Sequence, residues 1–401
     1  MDLLLGLTSV LFTCLFYLIV GIRWPGVAKI LFVALAARIF LLIISFFITL
    51  PDSSADSQAF EIVAWRDLAK FGITYVFDSY KLPGVNFYSY VIAVPYSLFG
   101  RSALMIQSIS LFFGMGVVFL SWLFAKKLFS DHVAIKVGWT VALFPTMILY
   151  SVLIMREIFI CFFFLVAIFG VVNWVRTKNF VSFILVIFGF MVATLFHGGM
   201  IAGLMIFIVI FTFYNLKLFF KLIFNNRIRL FNLMFIILGL FAFYMYFSNN
   251  ISIPKIGTFE QILDLDTLSK KPFYEGASSS FPMWVKTSLS GTEFILKIPI
   301  RAIYFIFSPF PWEMSKIIHL VGVFDGFLYM IMTFLIFQNR QIIWKDPALR
   351  IIFLMLLAYI AIFAIGTENS GTAVRHRIKF FIVMLFLAAQ SMPKIIPFEK
   401  K

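Results

Sequence analysis

Charge is what this sequence has least of. Asp, Glu, Lys and Arg make up 13% of its 401 residues, against about 25% in an ordinary soluble domain. Acids are scarcer still, 18 against 33 bases, which leaves a net charge of +15. No soluble segment concentrates that excess, so a membrane surface explains it better than nucleic acid does. Cysteine is nearly absent. Cys14 and Cys161 both lie inside apolar runs, without metal-ligand spacing and without reason to pair. The chain also lacks a phosphate-cradling glycine loop, a His-Glu-x-x-His zinc motif and a Gly-x-Ser-x-Gly elbow. No internal repeat of fixed period is present. Matched broken helices in the two halves, the mark of inverted transporter repeats, are missing too.

Apolar residues fill the space. They are 62% of the chain, and the mean hydropathy is +1.02. No water-soluble fold covers so much apolar side chain, and a bilayer is the solvent that suits it. Runs long enough to span fall at about 3–22, 27–50, 103–124, 133–151, 157–175, 180–196, 199–215, 230–247, 317–337, 350–366 and 377–391, each near the ~20 residues a span needs. The expectation is a single all-α polytopic membrane domain over 1–401 with about eleven transmembrane helices, within a range of about ten to thirteen. Two further runs, 86–99 and 294–312, are short or broken by Pro95, Pro299, Pro309 and Pro311. They read as helices that lie at the interface or re-enter it. The start, Met1-Asp2 followed by an apolar run, has no basic n-region and no cleavage site, so it reads as a retained span.

Lys and Arg set the orientation. One set of connections holds Arg23, Lys126, Lys127, Lys136, Arg176, Lys178, Arg340, Lys345 and Arg350, with few acids. That set is expected on the cytoplasmic side of a bacterial inner membrane, with the N-terminus periplasmic and the C-terminus cytoplasmic. The periplasmic face then carries two long loops, 51–102 and 248–316, and a short segment, Gly366 to Arg377.

These outer segments hold the residues able to do chemistry. In the first loop, Phe60, Val63, Ala64, Leu68 and Phe71 form one helical face, and Gly72 is a stop signal. Asp56 falls near the first turn, where a helix dipole favours a carboxylate. The plain reading of Asp56 or Asp52 is an N-cap. Arg156-Glu157 stands at the outer end of a span, either as an interfacial anchor or as a phosphate-binding Arg with an acid that orients a sugar hydroxyl. His197, beside Gly198-Gly199, reads as a turn residue or a substrate contact. Arg375-His376-Arg377 is the densest basic cluster on this face. Guanidinium groups bind a phosphate bidentately and stay charged, although interfacial snorkelling would also suit them. Glu368, Asn369 and Thr372 are the adjoining polar groups that could bind sugar hydroxyls. Lys270-Lys271, Arg301 and Trp312 are left as a solvated pair, a membrane-proximal cation and an aromatic-belt anchor.

A resemblance enters on these residues. Asp56, Phe60 and Ala64 at four-residue spacing, the stop at Gly72, and the aromatic helix ending Leu98-Phe-Gly100 together resemble the first outer loop of the GT-C superfamily. These are membrane glycosyltransferases that use polyprenyl-linked sugar donors. The stretch from Ala142 through Pro145 and Tyr150 to Arg156-Glu157 is similar to a second segment of that group, so the resemblance covers roughly 27–175. The Phe310-Pro-Trp312 and Gly371–Arg377 stretches look like those of membrane proteins from bacterial surface-polysaccharide (O-antigen or capsule) clusters. The resemblance implies an inverting transfer at the periplasmic face, with the first-loop acid as general base. It gives Asp56 that role, with Asp52 in reserve, and here Phe60 stands where Tyr or His is commoner. Arg375, Arg377, His376 and Arg156 would hold the donor phosphate, and Glu157, His197, Glu368 and Asn369 the sugars. The partners implied are a polyprenyl-linked sugar or glycan, a glycan or lipid-linked acceptor, and membrane lipids. No spacing demands a cofactor, and a divalent metal stays open. A repeat-unit polymerase would need the same outer pocket. A transporter of lipid-linked sugars should carry ionisable residues deep within its spans, and Arg38 is the clearest such charge in the sequence.

Overall fold

The computed structural model describes residues 2–79, 86–223, 279–286, 290–314 and 319–393, with Ile237, Phe241 and Tyr244. Among these the protein is all-helical; the only pairing of extended backbone is one isolated bridge, Ser280 to Asn369. In chain order the helices are α1 (Asp2–Arg23), α2 (Pro25–Ile44), α3 (Ala55–Val63), α4 (Ile73–Asp78), α5 (Phe87–Phe99), α6 (Ala103–Leu128), α7 (Asp131–Leu143), α8 (Pro145–Tyr150), α9 (Glu157–Thr177), α10 (Phe180–Phe196) and α11 (Ile201–Ile223). Within the second loop lie α12 (Met283–Lys286) and α13 (Gly291–Phe307), and after it come α14 (His319–Gln338), α15 (Arg340–Lys345), α16 (Pro347–Ile365) and α17 (Ser370–Ala388).

Seven helices among the described residues are long and apolar enough to cross a membrane. They are α1, α2, α6, α9, Gly198–Leu216, Leu320–Gln338 and α16; α5 and α10 are shorter apolar helices. This is the architecture of a polytopic helical membrane protein, with fewer qualifying helices than the apolar runs suggested. The reasons are local. The run 133–151 is not one helix, because Pro145 divides it into α7 and α8. The run 180–196 forms a helix of 17 residues. The run 377–391 belongs to α17, which starts earlier, at Ser370, and so contains Arg375, Arg377 and Lys379. The run 230–247 lies outside the described residues except for those three positions, as do Lys270, Lys271 and most of the second loop.

Polar residues punctuate the helices as capping chemistry requires. Ser102, Ser130, Asn179, Ser290, Asp346 and Asn369 each accept a hydrogen bond from the first turn of the helix that follows. Gly72 and Gly100 end their elements with φ of 92° and 96°, a backbone region that glycine enters without steric cost. Gly170 of α9 and Gly189 of α10 face each other's backbone. A Cβ on Gly170 would lie 2.8 Å from the Val186 nitrogen, and one on Gly189 would lie 2.6 Å from that of Ala167. Small residues at such crossings let membrane helices approach closely.

The break at Pro145 explains Arg38. Proline has no N–H to bond the carbonyl four residues back, so the end of α7 is left with free acceptors. The buried Arg38 guanidinium supplies the donors, 2.9 Å from the Ala142 oxygen and 3.5 Å from that of Val141, with Ser151 Oγ at 3.2 Å from Nε. α17 runs through the middle of the bundle, buried along nearly its whole length and in contact with α7, α9, α13, α14 and α16. Its first turns carry the chemistry described next.

Candidate functional site

α3 begins at Ala55 with Ser54 as its N-cap, so Asp56 lies inside the first turn and is not the cap. Its half-exposed carboxylate instead accepts a hydrogen bond from Arg375 of α17. Arg375 also turns its Nε toward Glu157 of α9, 3.6 Å from Oε1. Glu157 is fully buried, and neither of its oxygens has a hydrogen-bond partner within normal distance. A buried carboxylate so placed depends on the neighbouring guanidinium to offset its desolvation. One cation thus stands between two acids, drawn from three helices far apart in sequence. Arg156 lies beside this group with its guanidinium 5.4 Å above the Phe60 ring. Phe60 follows Asp56 by four residues, on the same side of α3, and is buried edge-on against Tyr88.

Asp52 adopts a left-handed backbone, φ 60°, and its Oδ2 accepts the Tyr150 hydroxyl at 2.6 Å. Both residues line a cavity of about 190 Å³, whose far wall is Ser370, Gly371 and Val374 of α17 with Ser279. Pro309 and Gly322 close its lower side. Pro309 also borders a second, apolar hollow of about 320 Å³ formed with Phe310, Phe324 and Phe327. A polar chamber and an apolar groove therefore share a wall.

The Arg375-His376-Arg377 cluster comes apart in the structure. All three residues are helical, and successive residues of a helix point about 100° apart. Arg375 faces Asp56 and Glu157. His376, expected to help hold phosphate, faces inward, its Nδ1 at 2.8 Å from Lys379 Nζ and its ring 5.0 Å from that of His197. Arg377 is buried and committed elsewhere. It binds Asp325 at 2.6 and 2.9 Å and donates to the carbonyls of Ile306 and Ser308. Asp325 accepts a further bond from Thr146 at 2.9 Å. Arg377 is thus a structural cation joining α8, α13, α14 and α17, and it has no face left for a donor phosphate.

The structure places the remaining candidates as follows. His197 is buried, caps the turn Gly198–Met200 through its Nδ1 and stacks on Phe363; it is the turn residue. The Asn369 side chain caps α17 by accepting from the Thr372 N–H at 2.8 Å. The Glu368 carbonyl accepts from the Phe281 N–H at 2.8 Å, which ties the described piece of the second loop to the start of α17. Arg301 is buried beneath the end of α16, its nitrogens 3.4 Å from the oxygens of Ala364 and Ile365. Trp312 lies exposed and stacked on Phe310.

Five participants went unassigned in the sequence. Asp325 is one acid inside an apolar run and left no periodic trace. Tyr150 and Thr146 stood in the quoted stretch without a role. Glu61 and Arg101 form a bidentate pair at 2.7 and 2.8 Å, which raises the Arg101 pKa through its hydrogen bonds to the carboxylate. Burial, followed by the charge of Glu61, pushes the Tyr96 phenol up as well. Asp325, Arg377 and Lys379 also correct the reading that left Arg38 as the clearest charge deep among the spans. Among the described residues, no three His, Cys, Asp or Glu side chains gather as metal ligands.

No protein family matches the chain, and neither a curated protein nor a solved structure matches it.

Proposed function

We propose that the protein is a membrane glycosyltransferase that moves a sugar or glycan from a polyprenyl-phosphate-type donor to an acceptor hydroxyl in surface-polysaccharide assembly. One observation carries the reading: Arg375 held between Asp56 and the buried Glu157. The donor phosphate is a stronger bidentate partner for the guanidinium than one half-exposed carboxylate. Its arrival draws Arg375 away from Asp56. The freed carboxylate then takes the proton of the acceptor hydroxyl. The acceptor oxygen bonds to the anomeric carbon as the bond from that carbon to the phosphate oxygen breaks. The electron pair leaves on the phosphate, where Arg375 stabilises it. Glu157 keeps its contact with Arg375 as the guanidinium turns from Asp56 to the phosphate. The polar chamber at Asp52 and Tyr150 suits the sugar, and the apolar hollow beyond Pro309 suits the first isoprene units. The reading includes a bacterial inner membrane, about eleven spans and a periplasmic site.

A repeat-unit polymerase performs the same bond exchange with a diphosphate-linked glycan and remains the alternative. Transport is favoured by one observation, the buried set Asp325, Arg377 and Lys379. Asp325 and Arg377 bond to each other, and Lys379 meets His376, and fixed pairs of this kind suit a scaffold better than a route.

The test is the surface and lipid-linked glycan profile of a deletion strain carrying each variant. Asp56→Asn is expected to lower product by roughly 100-fold or more, the scale of a lost general base, while the protein still inserts. Wild-type product from Asp56→Asn would remove Asp56 as base and move the role to Asp52. Single-repeat chains in the deletion strain indicate the polymerase, and a missing side-branch sugar indicates the monosaccharide transferase. Unflipped lipid-linked intermediate on the cytoplasmic face would indicate transport.

A further inference from the structure

The Asp56 side of α3 is not its only polar side. Ser57 and Glu61, again four residues apart, share a neighbouring stripe and are both buried. That stripe faces a separate cavity of about 510 Å³ lined by Ser53, Ser57, Gln58, Glu61, Arg101 and Gln107, among others. It is bounded by the starts of α1 and α6 and the end of α2. Asp52 and Ser53, adjacent in sequence, line different cavities, so this segment is a wall between two chambers.

The chemistry of the second chamber is specific. Its one guanidinium, Arg101, is held bidentately by Glu61, and Tyr96 donates to the same carboxylate at 3.0 Å. Their charges cancel, and the other ionisable residue of the lining, Asp2, is an acid, so the chamber offers no free cation to a phosphate. Ser45, Ser53 and Ser102 donate their protons to the backbone oxygens of Leu42, Leu50 and Asp2 at 2.6 to 2.7 Å. The Ser45 and Ser53 oxygens remain acceptors, while that of Ser102 already accepts from the Met105 N–H. The amides of Gln58 and Gln107 add both donors and acceptors. Leu50, Leu153 and Ile154 supply an apolar wall. Hydroxyl acceptors, planar amides, a neutralised ion pair and an apolar surface together fit an uncharged polyol with one apolar face, which is a sugar ring.

We infer that this chamber binds a neutral sugar unit of the acceptor glycan, resting on the glycosyl-transfer reading above. The charged donor head occupies the Arg375 side of α3 and the uncharged acceptor the Arg101 side. A glycan lying along α3 reaches the first turn, where Asp56 stands. Glu61, Tyr96 and Arg101 fix that wall, while Gln58 and Gln107 touch the sugar.

The test uses the full chain in lipid nanodiscs, with free glucose, galactose and N-acetylglucosamine as probes in saturation-transfer NMR. At least one of the three is expected to give a saturable signal. Gln58→Ala and Gln107→Ala are each expected to weaken it about tenfold, the worth of one or two hydrogen bonds. Gln58 is exposed, so its replacement does not threaten the fold. No saturable signal from any of the three sugars, or a signal unchanged in both glutamine variants, would overturn the inference. Because the readout is binding, the cavity can stand even where Asp56→Asn retains full transfer, and transfer can stand where the cavity fails.

Discussion

Arg375 makes one guanidinium serve two acids that differ in what surrounds them. Asp56 is half exposed and can leave the pair at little cost, because water solvates it. Glu157 cannot, because nothing else near it donates a hydrogen bond. The difference predicts a graded series. Arg375→Lys keeps the charge but loses the planar fork, so product should fall by roughly tenfold with the protein still inserted. Arg375→Ala should lose nearly all product, and it strands a buried carboxylate at a cost of about 3–5 kcal/mol. Arg375→Ala/Glu157→Gln should regain much of that stability, read as thermal unfolding in detergent, without regaining product. Recovery of product in the double variant would show that Arg375 only neutralises Glu157. Asp56 and Arg156-Glu157 were legible as single residues because an acid or a cation is conspicuous at the edge of an apolar run. Their pairing was not legible: Asp56 and Arg375 are 319 positions apart, and no local pattern encodes that contact.

At the scale of elements, the decisive fact is that α17 begins at Ser370, capped by Asn369. Read as a loop, Arg375-His376-Arg377 is one basic patch. Wound into a helix, it is three residues with three separate environments. The signal was available in Asn369, an N-cap residue, but the cations after it made the helix look like an outer segment. The break at Pro145 could be read from proline alone, and Gly72 stops its element as its sequence context suggested. Asp325 could not be read, because its meaning depends on Arg377 meeting it from another helix. That pair yields its own prediction. Arg377→Ala leaves Asp325 buried and unpaired, a loss of about 3–5 kcal/mol, seen as a sharp fall in folded protein recovered from membranes. Arg377→Met/Asp325→Leu replaces the pair with apolar side chains and should recover most of that yield, since well-packed apolar groups often match a buried ion pair. Transfer should return with the fold if the pair is only scaffold. A well-folded double variant without product would assign the pair a part in the chemistry.

At the scale of the whole molecule, the ends of the bundle differ in charge. Glu157 opens α9 beside Arg375, and Arg176 closes it about 30 Å away at 1.5 Å per residue. At that far end Arg176 pairs with Asp346 at 3.0 Å, and Lys136 reaches the Met392 carbonyl at 2.7 Å. Lys126, Lys178 and Arg340 close α6, follow α9 and open α15 at the same end. The positive-inside tendency of short loops leads us to expect this end on the cytoplasmic side. Asp52, Asp56, Glu61, Glu157 and the two chambers lie at the other end. This polarity predicts a topology that does not depend on any catalytic assignment. In a Cys14→Ser background, Ser279→Cys beside the Asp52 chamber should react with an impermeant maleimide in cells whose outer membrane has been made permeable. Asn179→Cys, between α9 and α10, should react only after the inner membrane is broken. The reverse pattern would place the Arg375 site in the cytoplasm. A polyprenyl-linked donor could still be used there, but the acceptor would then have to be a glycan not yet moved across the membrane. The labelling result therefore fixes which pool of acceptor the Asp56 site can meet, before any sugar has been identified.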